Sequence, residues 1–383
     1  MSGSEHTVFR SGAPALSLVV QISLIAVGTV FVLDAAMFRN SVYKRWLEPE
    51  SAAGSLELAI DSAAHVQLAA PHRVLVFGDS QMTEGFSTKL AQQTAGPDWQ
   101  FVNAAVPGST PRTWYYMLRE IDPNKNRFTA VALPLPDYDD VDVPITYGGD
   151  HWDNDSDREL DAHWLAGELS LKDAWTFPWS FRSYIRKCRM LVCTLFKGML
   201  LRRDFRDFLS HPSSRIAKAR TFAMHHREWE YDYAGSPESL EGMRISWSPL
   251  RITFPSNVSP SVADEVREVY RRKAEALGHM TEYRKRWLGG IVDYYRGHGV
   301  QVILFRVPQR PIPVRCQWER RLDFFVRDAE QSSDVIVLDE HLFDDLEQPA
   351  DYRDGSHLNR QGRAEFSRRL SIQVSQAVLA SRQ

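Results

Sequence analysis

The sequence predicts an α/β fold: a parallel sheet of about five strands covered by helices on both faces, with one membrane-spanning helix ahead of it. Short β-branched stretches recur at 74–77, 101–102, 128–133, 300–307 and 335–338, and helical patterns lie between them. Strands that alternate with helices pair in parallel, because each crossover helix covers a face of the sheet. Upstream, Ala13 to Leu33 reads APALSLVVQISLIAVGTVFVL, 21 residues without a charge, and about 20 apolar residues span a bilayer core. Between the third stretch, ending near Pro136, and the helix beginning near Ser261 lie roughly 120 residues, too many for a loop, so this insertion holds structure of its own.

The chain has 383 residues, 43% hydrophobic, enough for a large core, and its net charge of −3 comes without a dense basic run. That balance lacks the electrostatic footprint of a nucleic-acid binder. Cys188, Cys193 and Cys316 form neither a disulfide framework nor a paired metal-ligand motif, and no cofactor is expected.

In chain order, residues 1–12 form a tail, 13–38 the transmembrane helix and 39–71 a partly helical tether rich in Ala, Ser and Glu. A buried core helix and a cleaved signal peptide are the rival readings of the apolar segment, although its length exceeds the usual signal core of about 7–15 residues. Arg10 alone precedes the span, while Arg39, Lys44 and Arg45 follow it, so the positive-inside count leans weakly towards a cytoplasmic body.

The body runs from 72 to 383, interrupted by the insertion at about 139–260. Six of the eleven tryptophans fall in the insertion: Trp152, Trp164, Trp175, Trp179, Trp229 and Trp247. Such rings fill a core or stack on sugars, and both readings stand. Asp153, Asp155 and Asp157 mimic the start of a calcium loop, but Arg158 and Trp164 stand where glycine and glutamate are required, so a solvated acidic loop is expected. The stretch KCRMLVCTLFKGMLLRR, 187–203, suits a buried helix with a basic end or a helix lying on a membrane surface. Mixed charges and spaced apolar residues over 261–299 suit an exposed amphipathic helical segment.

Two short motifs carry chemistry. RVLVFGDSQMTEGF, 73–86, places Ser80 just past a buried strand, where groups at the carboxyl end of a parallel sheet gather around ligands. Near the other terminus, DYRDGSHLNRQGRAEFSRRL, 351–370, sets Asp354 three residues before His357, ahead of a helix with Phe366, Leu370, Val374 and Ala377 on one face and Asn359 as N-cap. A serine nucleophile needs a base and a carboxylate to orient that base, and this spacing brings a carboxylate to one imidazole nitrogen. Taken singly, Ser80 suits a turn or helix cap and His357 a surface site.

These motifs resemble a known family. FGDSQ is similar to the first block of the GDSL, or SGNH, hydrolases, VNAAVPGST (102–110) to the second and DGSHLN to the last, in the family's order. The resemblance covers about 72–135 and 262–380 and implies a three-layer α/β/α, flavodoxin-like fold. It implies Ser80 as nucleophile, His357 as general base, Asp354 as its orienting partner, and the N–H groups of Ser80 and Gly108 as oxyanion donors. One block departs: PLPD puts Pro136 where the family carries an asparagine donor. Losing such a donor costs roughly 100- to 1000-fold in turnover, so either another group, Gln81 or Asn103, substitutes for it or the reaction differs from ordinary ester hydrolysis. A membrane-anchored body of this kind resembles the SGNH-like proteins of polysaccharide O-acylation, as in alginate or cellulose acetylation and teichoic acid D-alanylation. That likeness implies an acyltransferase for a cell-envelope or exported polysaccharide, working beside a multi-pass membrane O-acyltransferase. It also implies a body on the periplasmic side of the cytoplasmic membrane. A free-standing esterase and a non-catalytic SGNH-like scaffold of an export complex are the alternatives.

Overall fold

A computed structural model describes residues 13–135, 145–147, 150–152, 159–181, 183–273, 281–313 and 324–381. Helices α1 (Ala13–Phe38), α2 (Ser41–Lys44) and α3 (Ala52–His65) lead into β1 (His72–Val76), α4 (Ser80–Gly85), α5 (Thr88–Ala95), β2 (Trp99–Asn103), α6 (Pro111–Ile121) and β3 (Ala130–Pro134). The insertion follows, with β4 (Ile145–Tyr147), β5 (Asp150–Trp152), α7 (Glu159–Trp164), α8 (Tyr184–Leu195), α9 (Gly198–Ser210), α10 (Pro212–Asp232), β6 (Arg244–Trp247) and β7 (Leu250–Thr253). The chain returns through α11 (Pro260–Lys273), α12 (Thr281–Tyr295), β8 (Gln301–Phe305), α13 (Phe324–Ala329), β9 (Val335–Val337) and α14 (Arg360–Ala380).

The five β-branched stretches form one parallel sheet in the order β2-β1-β3-β8-β9. Counted along the sheet's own strands this is 2-1-3-4-5, a doubly wound order whose winding reverses between β1 and β3. Leu75, Val131, Val302 and Leu304 face one side, with residues of α3, α6, α12, α8 and α9. Val74, Val76, Ala130, Ala132 and Ile303 face the other, with α5, α11 and α14. Burial on both faces is why these strands read as unbroken apolar runs. The stripe of α14 is Phe366, Leu370, Val374 and Val378, with Ala377 only partly buried. Steps of four residues carry the stripe to 378.

Residues 39–71 carry α2 and α3, and Leu56, Ile60 and Ala63 of α3 are buried in the same core as α6. Helix α1 is long and apolar enough to cross a membrane, and its central residues are exposed. Its last turns are joined to the body. Asp34 accepts hydrogen bonds from the N–H groups of Lys197 and Gly198 at the start of α9, at 3.0 and 2.6 Å. Arg39 donates to the carbonyls of Thr194 and Leu195 at the end of α8, at 2.5 and 2.8 Å. The stretch 187–203 is therefore two helices broken at Phe196 and Lys197, whose open ends are capped by residues of, and just after, α1. Pro136, Asp153, Asp155, Asp157, Arg158 and Cys316 lie outside the described residues.

Candidate active site

Ser80 is the first residue of α4, reached directly from the buried run of β1. Asp79 is the N-cap, its carboxylate accepting from the Gln81 N–H at 2.9 Å, which ends the strand and starts the helix. Gly78 allows the turn, since a β-carbon there would collide with the Met82 side chain. The Gly78 carbonyl accepts from Val106 N–H and Ser109 Oγ, both at 2.9 Å. The loop after β2 is thereby stitched to the loop after β1, and it carries Gly108.

The loop with Asp354 and His357 is held by its own carboxylate. Asp354 Oδ1 accepts from the N–H groups of Ser356 and His357 at 2.9 and 2.8 Å. The same carboxylate meets His357 Nδ1 at 2.9 to 3.0 Å, so Asp354 both shapes the turn and orients the ring. Tyr352 bridges to Leu358 and closes the loop, and Asn359, capping Gln361 and Gly362, starts α14. Burial favours the neutral ring, but the bond to Asp354 and its charge outweigh it, and His357 is held above its ordinary value. Burial likewise works against the Asp354 carboxylate, yet His357 and the two backbone N–H groups hold it below the usual range. With Nδ1 committed, His357 Nε2 is buried and makes no hydrogen bond among the described residues.

Three latches bring the two segments together. Gln81 Nε2 donates to the Ser356 carbonyl at 3.2 Å and to that of Gln309, after β8, at 3.4 Å. The fully buried Arg363 of α14 donates to the carbonyls of Thr83 and Glu84 at the end of α4, at 3.0 and 2.5 Å. Ser367 Oγ accepts from Ser87 N–H at 2.9 Å. Helix α4, which Ser80 begins, is thus bonded at both ends to the segment that carries His357 and α14.

Gly108 has φ of +77°, and a β-carbon there would lie 2.9 Å from the ring of Trp164, so an L side chain is excluded by both backbone and space. Trp164, at the end of α7, reaches this loop from the insertion. Trp175, Trp179 and Trp247 are exposed, and the last packs edge-on against Tyr270 at 5.9 Å. Of the two substitute donors considered, Gln81 spends its amide hydrogens on the latch, and Asn103 Oδ1 accepts from Ala105 N–H at 3.0 Å.

The structure adds residues that sequence spacing does not single out. Arg353 Nε donates to Asp354 Oδ2 at 3.1 Å and its guanidinium lies 3.6 Å from Glu84 of α4. Tyr233 donates to the same Glu84 at 2.5 Å. Glu265 of α11 comes to the pair because Gly355 lets that helix approach, a β-carbon at Gly355 lying 3.0 Å from Val269. Partial burial and the Asp354 charge raise the Glu265 carboxyl above its usual range. Arg353 adjoins the Asp-x-x-His motif and was findable there; Glu265, on a helix with ordinary amphipathic spacing, leaves no signal. Glu265, Asp354 and His357 place ligand-type atoms within 4.8 Å of one another. The Asp354 oxygens, however, already accept from two N–H groups, the imidazole and a guanidinium, a donor set that suits an acid–base pair and opposes a cation. A groove of about 920 Å³ along the outer side of α14, lined by Asp345, Arg360 and Arg368 among others, does not include Ser80 or His357. No protein-family model matches the chain, and no curated protein matches it.

Proposed function

We propose that this chain is a membrane-anchored serine acyltransferase of SGNH type, carrying an acyl group, acetyl in the first instance, to a cell-envelope or exported polysaccharide. One observation carries the reading: an Asp354-oriented imidazole with a bare Nε2, latched to the helix that Ser80 begins at the carboxyl end of β1. The strand order that puts Ser80 beside the reversal of winding supports the flavodoxin-like form of the fold. In the reaction, Ser80 Oγ attacks the acyl carbonyl carbon and its proton passes to His357 Nε2. The tetrahedral oxyanion rests on the N–H groups of Ser80 and Gly108. Collapse breaks the bond to the leaving group, which takes the proton from His357, and leaves Ser80 acylated. A sugar hydroxyl then repeats the sequence on the acyl-enzyme, giving its proton to His357 and regenerating Ser80. Water is the competing acceptor, and Trp164 against Gly108 favours transfer by covering one wall of the site.

The anchoring role of α1 rests on its exposed apolar surface and its bonds to α8 and α9. A cleaved leader would remove Asp34 from the cap of α9. On this reading the body lies on the periplasmic side, beside a polysaccharide or acylated glycan and a multi-pass O-acyltransferase as partner. The opposing charge count is weakened because Arg39 and Lys44 have tasks in the body, Lys44 pairing with Glu168 and Glu57. Alkaline phosphatase fused after Ala70 reads the side directly: an active fusion supports the placement, and an inactive one with an active cytoplasmic reporter overturns it. For the chemistry, the intact protein is exposed to an activated acetyl ester and weighed. An adduct on Ser80 that persists in water and discharges onto glycan is expected. Rapid turnover in water makes the chain an esterase, and no adduct makes it the non-catalytic scaffold.

A further inference from the structure

Helix α8 exposes Tyr184 and Ile185, at 73% and 78%, together with Cys188 and Val192. The spacing 184, 188, 192 is one helical stripe, and the opposite side of the helix, Met190, Cys193 and Thr194, is buried. Just past the break, α9 exposes Met199, with Arg202, Arg203 and Arg206 on the turns that follow. Beside α8 the 3-10 turns Leu171–Trp175 and Pro178–Ser180 expose Leu171, Trp175 and Trp179, and the Lys187 ammonium stands 5.9 Å from the Trp179 ring. Single exposed apolar residues are ordinary, but a continuous set on one helix pair is not.

What covers this set is indicated by where it is fixed. Phe31 of α1 packs edge-on against Phe196 at 5.9 Å, Phe38 meets Phe205 of α9 at 5.2 Å, and Asp34 and Arg39 bond to the two ends of the break between α8 and α9. The stripe ends at Val192, about one helical turn before the break that the last turns of the helix read as crossing the bilayer hold, and so lies close to where that helix leaves the bilayer. Its composition matches that level: tryptophan and tyrosine with lysine and arginine at the headgroup boundary.

We propose that α8 and the start of α9, flanked by Trp175 and Trp179, form a platform that lies in the surface of the phospholipid bilayer into which α1 is inserted, with its arginines on anionic headgroups. The inference rests on the anchoring role of α1 but not on the chemistry at Ser80. It makes the body a part of the membrane interface, held by a span and a surface helix together, rather than a domain swinging on a stalk.

The test uses the native Cys188. In full-length protein carrying Cys193→Ala and Cys316→Ser, Cys188 is labelled with a polarity-sensitive fluorophore. The protein is reconstituted alone into vesicles of phosphatidylcholine with or without phosphatidylglycerol, each containing lipids spin-labelled at defined depths. A blue shift is expected, with shallow quenching that corresponds to roughly 5–10 Å below the headgroups and strengthens with phosphatidylglycerol. The exposed Ile185→Asp should abolish both changes. Two further labels, in a background with all three cysteines replaced, separate the outcomes. Val27→Cys on α1 should be quenched deeply, and Gln376→Cys, exposed on α14 across the sheet, not at all. A deeply quenched Val27 site with an aqueous Cys188 label overturns the platform and leaves the anchor standing, pointing to a protein partner for the stripe. An aqueous Val27 site removes the anchor and the platform with it.

Discussion

Arg353 and Glu84 push His357 in opposite directions: the guanidinium lowers its pKa and the carboxylate raises it, within a balance that Asp354 tips above the ordinary value. Because the proposed reaction needs the neutral ring, turnover should rise with pH through a midpoint above the usual histidine value of about 6.5. Removing the positive neighbour, Arg353→Gln, should move that acid limb to higher pH, and Glu84→Gln should move it lower. A pH–rate profile of acetyl release checks both signs, and equal shifts in one direction would contradict the assignment of His357 as base. Ser80→Ala should abolish the acyl adduct while leaving the melting temperature almost unchanged, since the residue begins a short helix and contributes little packing. Asp354→Asn should cost about 10⁴-fold by presenting the wrong tautomer, measured as adduct formation rate.

At the scale of elements, the site depends on α4 and α14 acting as one piece. Arg363→Met keeps much of the buried volume but strands the carbonyls of Thr83 and Glu84, each buried unpaired acceptor costing about 1–3 kcal/mol. Denaturant unfolding should show that loss, together with slower acylation in the proposed reaction as α4 loses its bond to α14. Gln81→Ala should be milder in stability and still slow acylation, because it frees the Ser356 carbonyl beside the histidine. Helix α7 contributes differently. Trp164→Ala uncovers Gly108, and the expected change is in partition: more hydrolysis and less transfer of the same acyl-enzyme, read as the ratio of free acetate to acetylated glycan. An unchanged ratio would remove Trp164 from the role given to it.

Across the whole molecule, the insertion binds the N-terminal helices to the sheet. Arg215 pairs with Glu48 at 3.0 Å and Asp204 at 2.9 Å and donates to the Trp46 carbonyl, while Tyr43 donates to Asp204. Lys44 of α2 pairs with Glu168, and burial, before all else, raises the Glu168 carboxyl. Deleting residues 1–38 should therefore destabilise the remainder instead of releasing a soluble domain unchanged. Phe205 and the start of α9 lose their cover, and the Asp34 cap alone is worth about 0.5–2 kcal/mol. Comparing the melting temperature of the truncated chain with Asp34→Ala in the full chain checks this, the point variant being expected to show the smaller loss.

The five strands, the cap at Asn359, the apolar face of α14 and the apolar helix at the N-terminus were all legible in the linear sequence, because each follows from a local pattern: alternation, spacing or unbroken hydropathy. The pairing of Asp354 with His357 was legible for the same reason, a spacing of three in a short loop. The latch of Gln81 onto Ser356, the clamp of Arg363 on α4, the approach of Glu265 past Gly355 and the capping of α8 and α9 by Arg39 and Asp34 were not. Each joins residues far apart in the chain, and their geometry exists only once the doubly wound sheet has set its two helical layers and folded the insertion back onto α1. Local patterns determine which elements form and which residue types stand at their ends; packing alone decides which of those ends meet.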